Sequence, residues 1–259
     1  MPLELRPEGL PDYVHGLMLE AIGRSGYPVV VEERPSLEFD SEMQLARGSR
    51  RYHKLVISTP YVDHAEHFII SGAKKIIRFY EQSPEQRYLP GSRATQGLPE
   101  QEKGELSSGP WSELRLAELS DFLYQGTVRQ LTSYPVDLRV EREIAEEFPE
   151  HREKQRAYLR RQVSDFEPSF LPEMAEAFPD RVSRANQAMN VAFAEKVAEI
   201  TGHPVGDACR ACPHHELGER LREDLDTVQE PGAQGDRQVT DAWARRLGLR
   251  QWYEWTQLD

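Results

Sequence analysis

The most constraining stretch of this sequence is the apolar run HFIISGAKKIIRFY, which extends from His67 to Tyr80. Its apolar side chains recur at helical spacing, so the run predicts a core helix over about 64–82, with Asp63 as its N-cap. A glycine inside a helix costs about 1 kcal/mol relative to alanine, so Gly72 predicts the close approach of another backbone segment. Four polar or small residues interrupt the run in its middle: Ser71, Gly72, Lys74 and Lys75.

The first ninety residues predict a small α+β unit. A helical pattern covers 10–24, and the β-branched run PVVVEERP at 28–35 is typical of a strand. Two further extended stretches follow at 43–46 and 52–58. The predicted order is therefore helix, three strands, helix.

The rest of the chain predicts helices after a connector. Residues 83–111 are rich in Pro, Gly, Ser and Gln and lack apolar periodicity, which favours a linking segment. The fold class is therefore predicted to be α+β, with an α+β unit at 1–90, a connector at 91–111 and a mainly α-helical region at 112–259. The predicted helices downstream span 112–131, 136–148, 152–166, 181–200, 215–226 and 240–247.

Composition excludes several classes of partner. The chain has 44 acidic and 32 basic side chains and a net charge of -12, so its surface repels a phosphate backbone and we expect no nucleic-acid partner. Its longest apolar runs are far below the ~20 residues that cross a bilayer, so we expect no membrane partner. The first residues lack a basic segment followed by an apolar stretch, which predicts no secretion signal and a cytoplasmic location.

The order helix, three strands, helix resembles the minimal zincin metallopeptidases of the ImmA/IrrE type. In that family the last helix carries HExxH in an apolar frame; the two histidines bind Zn²⁺ and the glutamate polarises the zinc-bound water. Laid on that pattern, Ser71 stands at the first histidine, Gly72 at the glutamate and Lys75 at the second histidine. The resemblance covers about 10–82. It implies a catalytically degenerate zincin-like protein that acts by binding a protein or peptide.

Two other interpretations of the same helix stay open. An ordinary core helix, with Lys74 and Lys75 reaching solvent, needs no catalytic ancestry. Ser71 and Lys74 also match S-x-x-K, in which a lysine one turn away deprotonates a serine, although the companion motifs are absent from the chain.

A shifted metal site is the alternative that would keep the protein an active metal-dependent hydrolase. His64 and His67 lie on one face of the predicted helix, and an acidic ligand could come from Asp137 or Glu141 in the later helix. An apolar stripe runs beside these two carboxylates, so the competing interpretation is a solvated helix flank.

The segment GHPVGDACRACPHHELGERL contains both cysteines of the chain and three of its eight histidines. C-x-x-C with nearby histidines suits tetrahedral Zn²⁺, which predicts a structural zinc site. A redox-active C-x-x-C, an HExxE variant of the zincin motif from His215 to Glu219, and ordinary reduced cysteines are alternatives. The candidate zinc ligands are Cys209, Cys212, His214, His215 and His203.

The aromatic tail WYEW, from Trp252 to Trp255, predicts either packing in a core or part of an interaction surface. A third function considered is therefore a helical assembly factor, in which zinc serves only to hold the shape.

Overall fold

The computed structural model of the chain describes residues 9–35, 37, 39–93, 97–109, 111–171, 173 and 176–258. A small sheet near the N-terminus and a mainly helical remainder confirm the predicted α+β class. The residues group into two compact units. The first comprises Met1–Tyr88, Val140–Tyr158 and Gln257–Asp259, and the second comprises Leu89–Arg139 and Leu159–Thr256.

The N-terminal part of the first unit has the predicted order of helix, three strands and helix. Its three strands form one mixed sheet in the order β1-β3-β2, with β1 parallel and β2 antiparallel to β3. The elements are α1 (Asp12–Ser25), β1 (Val29–Arg34), β2 (Ser41–Gln44), β3 (His53–Ser58) and α2 (Ala65–Tyr80).

The core of the first unit lies between the sheet and its two N-terminal helices. Leu55 of the central strand β3 lies opposite Val31 of β1 and Met43 of β2, and it is almost fully buried. Helix α2 is buried around most of its circumference, including Ile70 and Ile76. Because the apolar run of α2 has no wide polar stripe, it forms a central helix, as the sequence predicts.

The start of α2 differs from the prediction. Residues Thr59–His64 form a 3₁₀ turn, and the α-helix begins only at Ala65. Asp63 therefore lies inside this turn, and the prediction that it is the N-cap is wrong. Pro60 explains the difference, because its fixed φ favours the first turn of a helix directly after Ser58.

The remaining elements are mainly helical. Helices α4 and α5 contribute residues to both units, since the first unit includes 140–158. The contiguous division at 1–90, 91–111 and 112–259 thus differs from the units of the structure. These elements are β4 (Tyr88–Ser92), α3 (Glu100–Ser107), α4 (Glu113–Glu147), α5 (Arg152–Phe166), α6 (Asp180–Thr201), α7 (Asp207–Arg210), α8 (His215–Thr227), α9 (Gly232–Leu247) and β5 (Tyr253–Gln257).

Three local predictions need correction. The supposed connector contains β4 and α3, which escape detection because α3 buries few side chains and β4 includes Pro90. The two helices predicted at 112–131 and 136–148 are one helix, α4, which continues through Pro135. The last helix begins at Gly232 instead of residue 240.

Most of the aromatic tail belongs to strand β5, which Trp252 directly precedes. Backbone N–H groups of Arg93 and Leu258 donate to the carbonyls of Trp252 and Arg87, so β4 and β5 run antiparallel. Trp252 and Tyr253 are buried, so neither is available as an interaction surface. Within the described ranges, no helix combines the length and apolarity that crossing a bilayer requires.

Candidate functional site

The main polar feature of the first unit is a buried chain of hydrogen bonds that begins on α2. His67 is 1% exposed, because the first turn of α2 directs it into the unit. Its Nε2 lies 3.0 Å from Oε1 of Glu141, and its Nδ1 lies 3.2 Å from Nε2 of His151. Both ring nitrogens of His67 are therefore engaged.

The chain continues from His151 to a second carboxylate. Nδ1 of His151 lies 3.0 Å from Oε1 of Glu66, the residue that precedes His67 on α2. Tyr13 of α1 and Lys154 of α5 also donate to Glu66. We call the four connected residues the histidine network: Glu141, His67, His151 and Glu66.

Gln155 supports the far end of the histidine network. Its Nε2 donates to the backbone carbonyl of Glu141 at 2.7 Å and to Oε2 of the same residue at 2.8 Å. Its own Oε1 is buried and has no hydrogen-bond partner among the described residues. The carboxylate of Glu141 is thus held on one side by an imidazole and on the other by an amide.

The three contacts of the histidine network require three protons on two imidazole rings. Each contact joins two atoms that both accept when unprotonated, so one proton must lie in each. Two neutral rings carry only two protons. With both carboxylates ionised, one ring is therefore an imidazolium, flanked by Glu141 and Glu66.

The electrostatic environment favours ionised carboxylates and resists a further proton. Burial alone would raise the pKa of Glu141, but the charge and hydrogen bond of His67 lower it overall. Burial opposes ionisation of Glu66 in the same way, and hydrogen bonds from Lys154, Tyr13 and His151 lower its pKa. Burial, followed by the neighbouring His67, lowers the pKa of His151. The lowered pKa of His151 favours a neutral ring at that position.

A second polar contact joins α2 to the end of α4. Lys74 is 8% exposed, and its Nζ donates to Oε1 of Glu147 at 2.8 Å and lies 2.9 Å from Oε2 of Glu143. Arg78, one turn further along α2, also pairs with Glu143. The expectation that Lys74 reaches solvent is therefore wrong, because two glutamates bind it inside the unit.

The same contact removes the S-x-x-K interpretation. Burial alone would lower the pKa of the Lys74 ammonium, but its hydrogen bonds with Glu147 and Glu143 raise it. An ammonium held in this way cannot serve as the base that deprotonates Ser71.

The position of Gly72 has a local packing reason. A Cβ atom there would lie 2.5 Å from Cε of Met43 and 3.7 Å from Cδ2 of Leu55. The predicted close approach at Gly72 exists, but side chains of the sheet make it and not a backbone segment. A glutamate at this position would point at these apolar side chains.

Of the four candidate residues for the shifted metal site, His64, His67, Asp137 and Glu141, two are in direct contact. His67 and Glu141 make direct contact, whereas the ring of His64 lies against Tyr158, with centroids 5.5 Å apart. Glu141 is 4% exposed, so the solvated-flank interpretation is wrong for it. Because both nitrogens of His67 are taken by protein atoms, we assign His67 and Glu141 to a hydrogen-bonded network rather than to a metal site.

The sequence reasoning missed His151 and Glu66. His151 ends a 3₁₀ turn, Pro149–His151, between two helices, and its partners lie more than eighty residues earlier. Such a turn has no periodic pattern. The only signal in the sequence was the position of His151 shortly after the acidic end of α4, which is Glu147.

The candidate zinc ligands of the second unit are distributed differently. Cys209 and Cys212 are buried in an apolar cluster with Phe170 and Val205, whereas His203 is exposed. Burial raises the pKa of the Cys209 thiol to about 12 and also raises the pKa of Cys212. Both cysteines therefore favour the neutral thiol, which is the unreactive form.

The histidines beside the cysteines have other surroundings. His215 begins α8, and its Nε2 lies 3.1 Å from Glu195 while its Nδ1 lies 3.7 Å from Glu219. His214 is partly buried, and burial lowers its pKa. Glu216, the base of the proposed HExxE variant, is exposed and pairs with Arg220. The zinc site and the HExxE variant stay predictions, without support from these contacts.

Across the described parts of the chain, no group of three or more His, Cys, Asp or Glu side chains is arranged to hold a metal ion. No protein-family model, curated protein or solved structure matches this chain. The site must therefore be interpreted from its own geometry.

Proposed function

We propose that this protein acts by binding a protein or peptide and not by catalysis, as a degenerate relative of the zincin metallopeptidases of the ImmA/IrrE type. The observation that carries the proposal is the direct contact of His67 with Glu141, 3.0 Å apart in the buried interior. A hydrolytic site needs an acid, base or ligand that faces a substrate. Here the acids and bases around α2 bind one another.

The charges around Glu141 support the same conclusion. Burial would raise the pKa of its carboxylate, but the charge and hydrogen bond of His67 lower it, and the Gln155 hydrogen bond and the Lys75 ammonium lower it further. In the metallopeptidase pattern, Lys75 stands where the second zinc-binding histidine would be. Protein cations thus supply the positive charge that a metal ion would otherwise provide.

The first test is for metal-dependent hydrolysis. The purified full chain is incubated with a complex peptide mixture and either Zn²⁺, Co²⁺, Mn²⁺ or a chelator, and the products are identified by mass spectrometry. Elemental mass spectrometry of the same sample measures bound metal. Glu141→Gln is the test variant, and Glu146→Gln on the same helix is its matched control, since Glu146 is exposed.

We expect wild type and both variants to give identical peptide patterns in all four conditions. Metal-dependent cleavage that Glu141→Gln abolishes and Glu146→Gln preserves would overturn the proposal and restore the hydrolase with shifted ligands. About one zinc per chain, lost in Cys209→Ser, would instead favour an assembly factor with structural zinc.

The second test is for peptide binding, by selection from a peptide-display library with the folded full chain as bait. We expect a consensus sequence whose synthetic peptide binds the chain in solution, measured by fluorescence anisotropy. A selection that yields no reproducible consensus, repeated with displayed protein domains, would remove the support for a binding role.

A further inference from the structure

The histidine network joins parts of the first unit that are distant in sequence. Residues 140–158 belong to this unit, and they supply Glu141 and His151 to the two residues of α2, Glu66 and His67. His151 is fully buried and Glu141 is 4% exposed. The hydrogen bonds of the network between residues 140–158 and α2 are therefore largely shielded from water. Away from water, a mismatch of donors and acceptors is costly.

We propose that the histidine network is a pH-sensitive latch, which holds residues 140–158 most strongly on α2 while its two imidazole rings together hold three protons. The ion pairs of Lys74 and Arg78 with the end of α4 are additional contacts that do not involve these protons. The inference goes beyond the proposed function and does not depend on it. With a fourth proton, two N–H groups would face each other at the 3.2 Å contact of His67 with His151 or a ring would lose its partner. With only two protons, one contact would join two acceptors.

When residues 140–158 are released from α2, the two rings lose a proton above about pH 6.5 and gain one below it. Free imidazole rings titrate near pH 6.5, so two released rings hold about two protons well above that pH and about four well below it. The return of residues 140–158 to α2, which we call docking, therefore takes up a proton at high pH and releases one at low pH. Linkage then makes docking strongest near pH 6.5, and weaker on both sides.

Tyr13 and the two network carboxylates keep their protonation states between pH 5 and 8, so the weakening of docking on both sides of pH 6.5 comes from the histidines. Burial and hydrogen bonding to Glu66 raise the pKa of Tyr13, and the pKa of each network carboxylate is lowered. Among the described residues, the charged and titratable groups that face the network are Tyr13 on α1, Glu66 and Lys75 on α2, Glu141 on α4, Glu150 in the turn, and Lys154 and Tyr158 on α5.

Hydrogen exchange of the full chain, followed by mass spectrometry, tests the latch. Rates are measured at about pH 5, 6.5 and 8 and corrected for intrinsic exchange. Protection of amides in 140–158 should be greatest near pH 6.5 and about ten-fold lower at each extreme, as expected for one proton per event. Peptides from α6, in the second unit, provide the internal reference and should not show this maximum.

His151→Gln separates the latch from general pH effects. A glutamine cannot accept the fourth proton, so the loss of protection at low pH should disappear in this variant. His15→Gln, on the exposed side of α1, is the matched control. This variant should still lose protection in 140–158 at both low and high pH. Wild-type protection that varies less than about two-fold, or a loss of protection at low pH that persists in His151→Gln, would overturn the proposal.

A second measurement covers the case in which His151→Gln does not fold. Wild-type protein labelled with ¹⁵N-histidine reports the protonation of each ring nitrogen by its chemical shift. Near pH 6.5, three of the four ring nitrogens of His67 and His151 should carry protons. A count of two or of four would contradict the latch.

Discussion

His67 and His151 lie 84 positions apart in the sequence, yet their rings are nearly parallel, 7° apart, and share a 3.2 Å contact between Nδ1 and Nε2. This contact sits between two carboxylates, those of Glu141 and Glu66. Nothing in the local sequence around either histidine indicates the other. The energetic consequences of the pairing can nevertheless be stated residue by residue.

Glu141→Gln should destabilise the protein by about 3 kcal/mol at neutral pH. The substitution keeps the shape of the side chain but removes the charge that compensates a buried imidazolium, and a lone buried charge is costly. The measurement is the free energy of unfolding from urea titration. Glu146→Gln removes an exposed carboxylate from the same helix and should change that free energy by less than about 0.5 kcal/mol. Equal effects of the two substitutions would contradict the buried ion pair.

His53 should make the protein less stable as the pH falls from about 6.5 to about 4. The residue is fully buried, and its Nδ1 accepts the backbone N–H of Ala46 at 3.0 Å. Burial, with a smaller effect of Arg50, lowers the pKa of His53 to about 4. The unfolded chain therefore binds this proton at higher pH than the folded chain does, which removes up to about 3 kcal/mol of stability by pH 4.

The comparison of wild type with His53→Asn isolates this titration. An asparagine side chain can still accept the Ala46 N–H but does not titrate. Its free energy of unfolding at pH 7 should be lower, because packing between Tyr27 and Tyr80 is lost, but it should fall less steeply with acid. His203→Asn, at an exposed position, should follow wild type at every pH. Parallel pH curves for wild type and His53→Asn would disprove the assignment.

The elements predicted correctly from the sequence are those with a strong local pattern. Helix α5 was predicted at 152–166 and has these bounds, and α2 was predicted because apolar residues recur along it. Helix α3 is missed because it buries few side chains, and strand β4 is missed because its pairing partner is distant in the chain. For β4 that partner is β5, which lies at the other end of the sequence.

For the same reason, the sequence indicates only two of the four residues of the histidine network. The sequence placed His67 and Glu141 among the candidates because their residue types suit metal binding, and the structure brings them into contact for a different purpose. His151 and Lys74 were not assigned their roles, since a turn histidine or a helix lysine acquires a partner only through tertiary packing. Local spacing indicates which side chains share a helix face, but not which residue from a distant segment binds them.

Cys209 and Cys212 should react slowly with thiol reagents in the folded protein at pH 8. Only the thiolate reacts, and burial raises the pKa of Cys209 to about 12. We expect alkylation to be about one hundred-fold slower than in urea, as measured by mass spectrometry. If burial alone protects the thiols, a chelator should leave the folded rate unchanged. Faster alkylation after chelation would instead support the predicted structural zinc.

Gly218→Ala should destabilise the protein by about 2–3 kcal/mol through overpacking between α8 and α6. A Cβ atom at Gly218 would lie 2.4 Å from Cβ of Val191 and 2.9 Å from the backbone oxygen of Ala188, and neither helix can yield without moving its backbone. Gly126→Ala in α4 is the matched control. A Cβ atom there meets nothing within 4 Å, so the higher helix propensity of alanine should stabilise the protein by about 0.5–1 kcal/mol. Urea titrations of both variants should therefore give shifts of opposite sign, and a stabilising Gly218→Ala would mean that α8 and α6 do not pack this closely.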